Sequence, residues 1–136
     1  MFEKRVTLSE LDNESKEYKP LGMGILRILY DDTIYGARIQ MYDDVQDLKC
    51  DHAIAVQTCL RHEKTRAFWA AIDISVEPPC KRHFCALFSS INALKEFIKI
   101  FEEGKQMAIE SEIVEEEDEE SMFRHLIQMQ HGKELP

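Results

Sequence analysis

The stretch that decides the fold runs from Lys16 to Leu29 and reads KEYKPLGMGILRIL. A polar segment leads into two glycines one residue apart, Gly22 and Gly24, and then directly into an apolar run. A G-x-G that continues into a strand rather than a helix does not form a phosphate-binding loop. We therefore interpret the two glycines as a bend or bulge at the start of a β-strand over residues 22–30.

Alternating polar and apolar residues predict further strands on both sides of this run. Upstream, Val6 and Leu8 share one face of residues 5–11. Downstream, the acidic turn at residues 31–33 leads into residues 34–42, where every second side chain is apolar. The remaining predicted strands cover residues 47–50, 52–60, 66–74 and 83–88, and residues 61–65 are predicted to be a polar loop.

The period of the apolar residues changes after residue 88. Ser89 or Ser90 is a suitable N-cap for a helix. Apolar side chains then follow with the i, i+3, i+4 spacing of a helix face, at Ile91, Leu94, Phe97, Ile98 and Phe101. Gly104 is the predicted end of this helix, with residues 105–109 able to add one more turn.

These elements predict an α+β protein with about seven strands in a curved antiparallel sheet or barrel. One C-terminal helix of this length is not stable alone, so we expect it to cap an open end of the sheet. The length of 136 residues suits a single domain, which we place at residues 1–109. Residues 110–136 are predicted to be an acidic tail with a short amphipathic segment.

The net charge of −9 is concentrated in that tail. Residues 1–109 carry 15 basic and 17 acidic side chains, whereas residues 110–136 carry 2 and 9. The block at residues 110–120 should repel itself and stay solvated. Beyond it, Phe123, Leu126 and Ile127 are predicted to dock on a partner as part of a short helix. Without a basic face, direct nucleic-acid binding is not expected.

Nothing in the sequence favours catalysis, a metal, a cofactor or a membrane. No apolar run approaches the ~20 residues needed to span a bilayer, and the first residues lead into no signal-peptide core. The four cysteines are expected to be reduced thiols, because they form no C-x-x-C pair and their spacing does not suit zinc. No nucleophile–base pair or carboxylate pair stands out, so we predict a non-enzyme with no cofactor.

Several segments together carry a resemblance to a known family. They are residues 18–22 (YKPLG), 26–29 (LRIL), 37–41 (ARIQM), 66–69 (RAFW) and 92–106. In order and spacing, over residues 4–107, they resemble the Ran-binding domain family, a pleckstrin-homology-type (PH-like) module. The resemblance implies an interaction module that binds the GTP-bound form of the small GTPase Ran in nucleocytoplasmic transport. It also implies a location in nucleus and cytoplasm, with nuclear-pore association as an option.

The family's partner-binding role transfers to positions that match its pattern or supply positive charge. Those candidates are Tyr18, Lys19, Arg27, Arg38, Lys49, Arg66 and Trp69. Trp69 can instead be a core residue, because a lone tryptophan in a strand usually buries most of its ring. Leu21 stands where the family has an arginine, and Tyr42 and Asp43 stand where it has paired arginines. The acidic residues there should weaken the hold on an acidic partner tail.

An alternative is a divergent PH-type adaptor that docks another protein in nuclear export or RNA transport. A further hypothesis is that the tail, residues 110–136, occupies the remaining basic groove of its own chain. Self-association through an exposed edge strand stays open.

Overall fold

The computed structural model describes the backbone of residues 1–132 and the side chains of residues 1–113. Seven strands precede one helix: β1 (Phe2–Leu11), β2 (Tyr18–Asp31), β3 (Gly36–Asp43), β4 (Leu48–Ala53), β5 (Leu60–Glu63), β6 (Arg66–Asp73), β7 (Cys80–Phe88) and α1 (Ile91–Gly132). The strands form one sheet in the order β4-β3-β2-β1-β7-β6-β5. All neighbouring pairs are antiparallel. The predicted α+β architecture is confirmed.

The core lies between the concave face of the sheet and α1. Every second strand residue points inward, and Phe97 of α1 lies at the centre of the aromatic cluster. Its ring centroid is 5.0 Å from that of Phe88, 5.4 Å from Phe2 and 5.5 Å from Trp69. Because Phe2 begins β1 and Phe88 ends β7, the helix caps one open end of the curved sheet, as predicted.

The opposite end is closed by a buried charge cluster. The Arg82 guanidinium donates Nε–H to Glu10 Oε2 at 2.6 Å and Nη1–H to Asp73 Oδ2 at 2.6 Å. Asp73 is fully buried, and its Oδ1 accepts the Asp51 backbone N–H at 2.7 Å. The Ile74 N–H also donates to the Asp51 carbonyl at 2.8 Å. Strands β1, β4, β6 and β7 are thereby held together although β4 and β6 share no ladder.

The helix begins where the sequence predicts and ends much later. Ser90 Oγ accepts the Ala93 N–H at 3.1 Å, so Ser90 is the N-cap. The predicted end at Gly104 is wrong, because α1 continues to Gly132. Residues 105–131 contain neither glycine nor proline, and glutamate is a good helix former. Within the described part of the chain, no helix is long and apolar enough to cross a membrane.

Two predictions between β4 and β6 are wrong, one of a strand and one of a loop. Residues 52–60 do not form one strand, because the chain turns at Ala55–Thr58. There the Thr58 N–H donates to the Ala55 carbonyl, and the Ala55 N–H donates to Thr58 Oγ1, both at 3.0 Å. Residues 61–63, which fall in the predicted polar loop, instead belong to β5 (Leu60–Glu63), which pairs with β6.

The two glycines of the opening stretch serve the backbone, as predicted. The β1–β2 register shifts between Leu8 and Ser9, and Gly22 beside this irregularity has a φ of 153°. Gly24 lies against β3. A Cβ added there would collide with the Tyr42 carbonyl oxygen and would stand 2.8 Å from Asp43 Cα. Gly22 therefore lies at a bulge, and Gly24 lies where β2 and β3 approach each other closely.

Candidate functional site

Most of the predicted partner-binding cations are already paired with carboxylates of this chain. Lys19 Nζ lies 2.7 Å from Asp12 Oδ2, and Lys49 Nζ lies 3.7 Å from Asp43 Oδ2. The Arg27 guanidinium lies 3.6 Å from Glu3 Oε1. Hydrogen bonding from Lys19 also lowers the pKa of Asp12, which keeps this carboxylate charged. The strands thus carry alternating charge rather than a continuous basic surface.

Arg38 is the most completely occupied of these cations. It bonds Asp31 Oδ2 through Nε at 3.1 Å and Asp51 Oδ1 through Nη1 at 2.9 Å. The Thr33 hydroxyl and then Arg38 hydrogen-bond to Asp31 and lower the pKa of its carboxyl group. Only 22% of the Arg38 side chain is exposed. Arg38 therefore joins the β2–β3 hairpin to β4, and it has little capacity left for a partner.

At the end of β3, Asp43, which stands where the family has an arginine, and its neighbour Asp44 are both hydrogen-bonded within this chain. Asp44 receives two bonds from Arg5, at 2.8 and 2.6 Å, and the hydrogen bond lowers the pKa of Asp44. Asp43 Oδ1 accepts the backbone N–H groups of Val45 and Asp47. These carboxylates hold a turn and a cross-strand pair, so their repulsion of an acidic partner is smaller than their charge alone suggests.

An aromatic pocket opens on the outer face where the start of β2 meets β6. The Tyr18 ring packs edge-on against Phe68 with centroids 5.5 Å apart, and the Arg61 guanidinium lies 5.5 Å above the Phe68 ring. His83 completes this pocket of about 270 Å³. Burial raises the pKa of the Tyr18 hydroxyl. We call the group Tyr18, Arg61, Phe68 and His83 the aromatic pocket.

Sequence reasoning identified Tyr18 and Trp69, which both line this pocket, but missed Arg61, Phe68 and His83. Arg61 belonged to a predicted loop, and His83 was assigned only to a strand. The available signal was the alternation in β6, which turns Ala67 and Trp69 inward and therefore turns Phe68 outward.

Arg66 is the predicted cation with the greatest freedom. It is exposed and lies opposite Leu87 of β7, which is 37% exposed. Among side chains of residues 1–113, no carboxylate lies within ion-pair distance of Arg66. In the register of the sheet, Leu87 faces Thr7, which in turn faces Met23. Arg66 thus belongs to a row of outer side chains that crosses five strands and continues to Glu63 of β5, the residue directly opposite it.

Trp69 lies in the core and is only 3% exposed. Its Nε1–H donates to His52 Nε2 at 2.9 Å, and His52 is stacked on Phe84 with ring centroids 5.8 Å apart. The burial of Trp69 agrees with its interpretation as a core residue, and its role as a partner contact stays a prediction. Trp69 is also among the residues that line the aromatic pocket.

The described side chains include neither a candidate metal site nor an activated thiol at Cys50. Among them, no three His, Cys, Asp or Glu residues come together in an arrangement that could hold a metal ion. The buried Cys50 thiol has a pKa raised by desolvation, which disfavours the thiolate needed of a nucleophile. The predicted tail-docking residues Phe123, Leu126 and Ile127 lie beyond the described side chains.

The RanBP1 domain profile matches residues 1–107, which include all seven strands and the part of α1 that packs on them. The chain belongs to the RanBP1 domain family. No curated protein matches it significantly. The family assignment agrees with the sequence resemblance, which covers residues 4–107.

Solved structures show the same fold at low identity. A crystal structure of the Ran-binding domain of Nup2 from Ashbya gossypii is 13% identical, with a TM-score of 0.64 over 79% of this chain and 94% of that one. A second Nup2 structure is 12% identical, with a TM-score of 0.63 over 78% and 95%. The Dm DCP1 EVH1 domain is 10% identical, with a TM-score of 0.58 over 78% and 75%.

These matches confirm a PH-like curved sheet closed by a C-terminal helix. The chain is therefore a Ran-binding-type interaction module, and its family is one of protein-binding domains rather than enzymes.

Proposed function

We propose that this protein binds the GTP-bound form of Ran, or of a Ran-like small GTPase, in nucleocytoplasmic transport. The observation that carries the proposal is the RanBP1 domain match over residues 1–107. The neighbouring Nup2 domains come from a component of the nuclear pore complex. By analogy, this protein would act in nucleus and cytoplasm, with the nuclear pore as one place of action.

The GTPase would contact the outer face around Tyr18 and Arg66. Both side chains are exposed, and Arg66 has no carboxylate partner among residues 1–113. Three further cations would take part only if each left its carboxylate in this chain and paired with a carboxylate of the partner; they are Lys19, Arg27 and Lys49. Such exposed ion pairs are worth only about 0–1 kcal/mol each, so that exchange is energetically accessible.

The test is binding of the full chain to Ran loaded with a non-hydrolysable GTP analogue and to Ran loaded with GDP. We expect retention of the GTP form only. Arg66→Glu should weaken that binding about tenfold or more, because it reverses a charge on the contact face. Lys99→Glu is the matched control, since Lys99 is exposed on α1. Equal retention of both nucleotide forms, or retention of neither, would contradict the proposal.

A second candidate function is a PH-type adaptor that docks another protein in nuclear export or RNA transport. The observation that favours it is the pairing of Lys19, Arg27, Arg38 and Lys49 with carboxylates, which leaves little free positive charge for an acidic GTPase tail. The EVH1 domain of similar fold was solved in complex with a peptide of XRN1. Absence of Ran binding in a chain that unfolds cooperatively would favour this second function.

A further inference from the structure

A cavity of about 490 Å³ lies between β4, the β4–β5 connection and β6. It opens because β5 is short: its ladder with β6 ends at the pair Leu60↔Trp69, whereas β6 continues to Asp73. Four alanines line it, Ala53, Ala55, Ala70 and Ala71. Such small side chains allow another backbone to approach closely.

The edge of β6 facing this cavity has free hydrogen-bonding groups. Strands β5 and β6 are joined by a two-residue hairpin whose closing pair, Glu63↔Arg66, is of the hydrogen-bonded kind. Even-numbered residues of β6 therefore point their N–H and C=O groups towards β5. Beyond the end of β5, Ala70 and Ile72 direct these groups into the cavity. Ile74 follows the same even-numbered alternation, which explains why its N–H reaches the Asp51 carbonyl at 2.8 Å.

The facing edge of β4 is largely occupied by hydrogen bonds within this chain. The Asp51 backbone is turned away from β3, since its N–H and C=O bond Asp73 and Ile74. Two residues on, Ala53 has the same orientation and lines the cavity. Its carbonyl accepts the ring N–H of His52 at 3.0 Å. The cavity is thus a gap between the edges of β4 and β6. The two edges are joined only at one end, where Asp51 bonds Asp73 and Ile74.

The charge around the gap is positive. Lys81 lines the cavity, and Arg61 lines the adjoining aromatic pocket, which shares Cys59 and Ala70 with it. No aspartate or glutamate is among the residues lining either space. This contrasts with the remaining outer face, where carboxylates pair most of the cations.

We propose that the gap receives an extended peptide segment of a partner protein, added as a strand to the free edge of β6 and carrying a carboxylate towards Lys81. Backbone pairing with Ala70 and Ile72 supplies affinity, and side chains at alternate positions enter the alanine-lined cavity. The gap does not include Arg66, so the proposal stands whether or not the chain binds Ran.

The probe is a random heptapeptide display library selected on the full chain, followed by synthesis of the enriched peptide. We expect Asp or Glu to be enriched among β-branched residues. By NMR, the amides of Ala70 and Ile72 should exchange rapidly in the free protein, and the peptide should slow them at least about tenfold. Ala71, whose N–H faces β7, is the internal control and should be protected in both states.

Two substitutions and two peptides complete the test. Lys81→Glu should raise the dissociation constant at least about fivefold, whereas Lys99→Glu should leave it within about twofold. Because only the β6 edge offers free backbone groups, N-methylation of the peptide residues that pair with β6 should abolish binding, whereas N-methylation of the intervening residues should spare it. Failure to select a peptide, equal loss with both N-methylated peptides, or unchanged exchange of Ala70 and Ile72 would overturn the proposal.

Discussion

Gly104 determines how closely α1 lies on the sheet. A Cβ added at this buried position would stand 2.8 Å from the Cβ of Ala37 and 3.0 Å from Cδ1 of Ile54. The first contact is with a side-chain atom fixed directly to the β3 backbone, so it cannot move aside cheaply. Sequence reasoning took this glycine for a helix end, whereas the structure uses it as a contact surface in mid-helix.

Gly104→Ala should lower the free energy of unfolding by about 1–3 kcal/mol through overpacking. Helix propensity alone would raise that free energy by about 1 kcal/mol, so the sign distinguishes the two effects. Urea denaturation measures it. The double variant Ala37→Gly/Gly104→Ala should be more stable than the sum of the two single changes predicts. Strict additivity would show that the two residues do not press on each other.

His52 links stability to mildly acidic pH. Its buried ring accepts the Trp69 N–H, and burial lowers its pKa below the ordinary value of 6.5. The weaker influences of Asp73 and Asp51 raise it, and that of Arg38 lowers it. Below pH 6.5 the unfolded chain takes up a proton that the folded chain resists. This contribution to stability is therefore complete above pH 6.5 and is lost as the pH falls towards the folded pKa.

Thermal or urea unfolding between pH 7.5 and 5 should show this loss, with a slope of up to about 1.4 kcal/mol per pH unit. His52→Gln removes the titrating group and should flatten that part of the profile, at some cost in overall stability. An unchanged slope in His52→Gln would place the linkage elsewhere.

At the scale of elements, the sequence predicts strands whose polar and apolar side chains alternate, and it does not predict strands that lack this alternation. Strand β6 was predicted to within one residue because its inner and outer side chains differ in polarity. Strand β5 was missed because Arg61, His62 and Glu63 are all exposed, so only pairing with β6 makes the segment a strand. The turn at Ala55–Thr58 was missed because it depends on a threonine hydroxyl inside an apparently alternating run.

The candidate site was predictable only in part for a related reason. Tyr18 and Arg66 follow from the family resemblance. An ion pair that occupies one of the other cations depends on strand pairing, as with Arg27 of β2 and Glu3 of β1, which lie opposite each other in the sheet. Such partners depend on strand register and cannot be read from local spacing.

Arg82 joins strands of the sheet through buried ion pairs, so its replacement should destabilise the fold. Arg82→Met would leave the fully buried Asp73 without its cation, so unfolding free energy should fall by about 3–5 kcal/mol. The matched control is Arg5→Met, which breaks the exposed pair with Asp44 and should cost less than about 1 kcal/mol. Chemical denaturation of both variants measures the difference. Similar small losses would mean that the buried cluster does not hold the sheet closed.

For the whole molecule, the distribution of charge separates a nearly neutral domain from a strongly acidic C-terminal segment. Residues 1–109 include every described core residue, whereas residues 110–136 carry most of the net charge. The hypothesis that this segment occupies the cationic surface of its own chain stays a prediction.

Deletion of residues 110–136 should strengthen partner binding several-fold if the acidic segment competes for the cationic surface. Replacing Glu115, Glu116, Glu117, Glu119 and Glu120 by glutamine is the matched variant, since it removes charge and keeps length. Both should act in the same direction in a titration with the partner. Unchanged affinity in both would reject the competition.

The close approach at Gly24 has a consequence for mutational tolerance. The position admits no side chain, whereas Met23, one residue before it, is 49% exposed. A saturation scan of β2 should therefore tolerate a single residue type at position 24 and many at position 23. The short motif that reveals the family would then persist in any descendant that keeps the sheet, including one that has exchanged its partner.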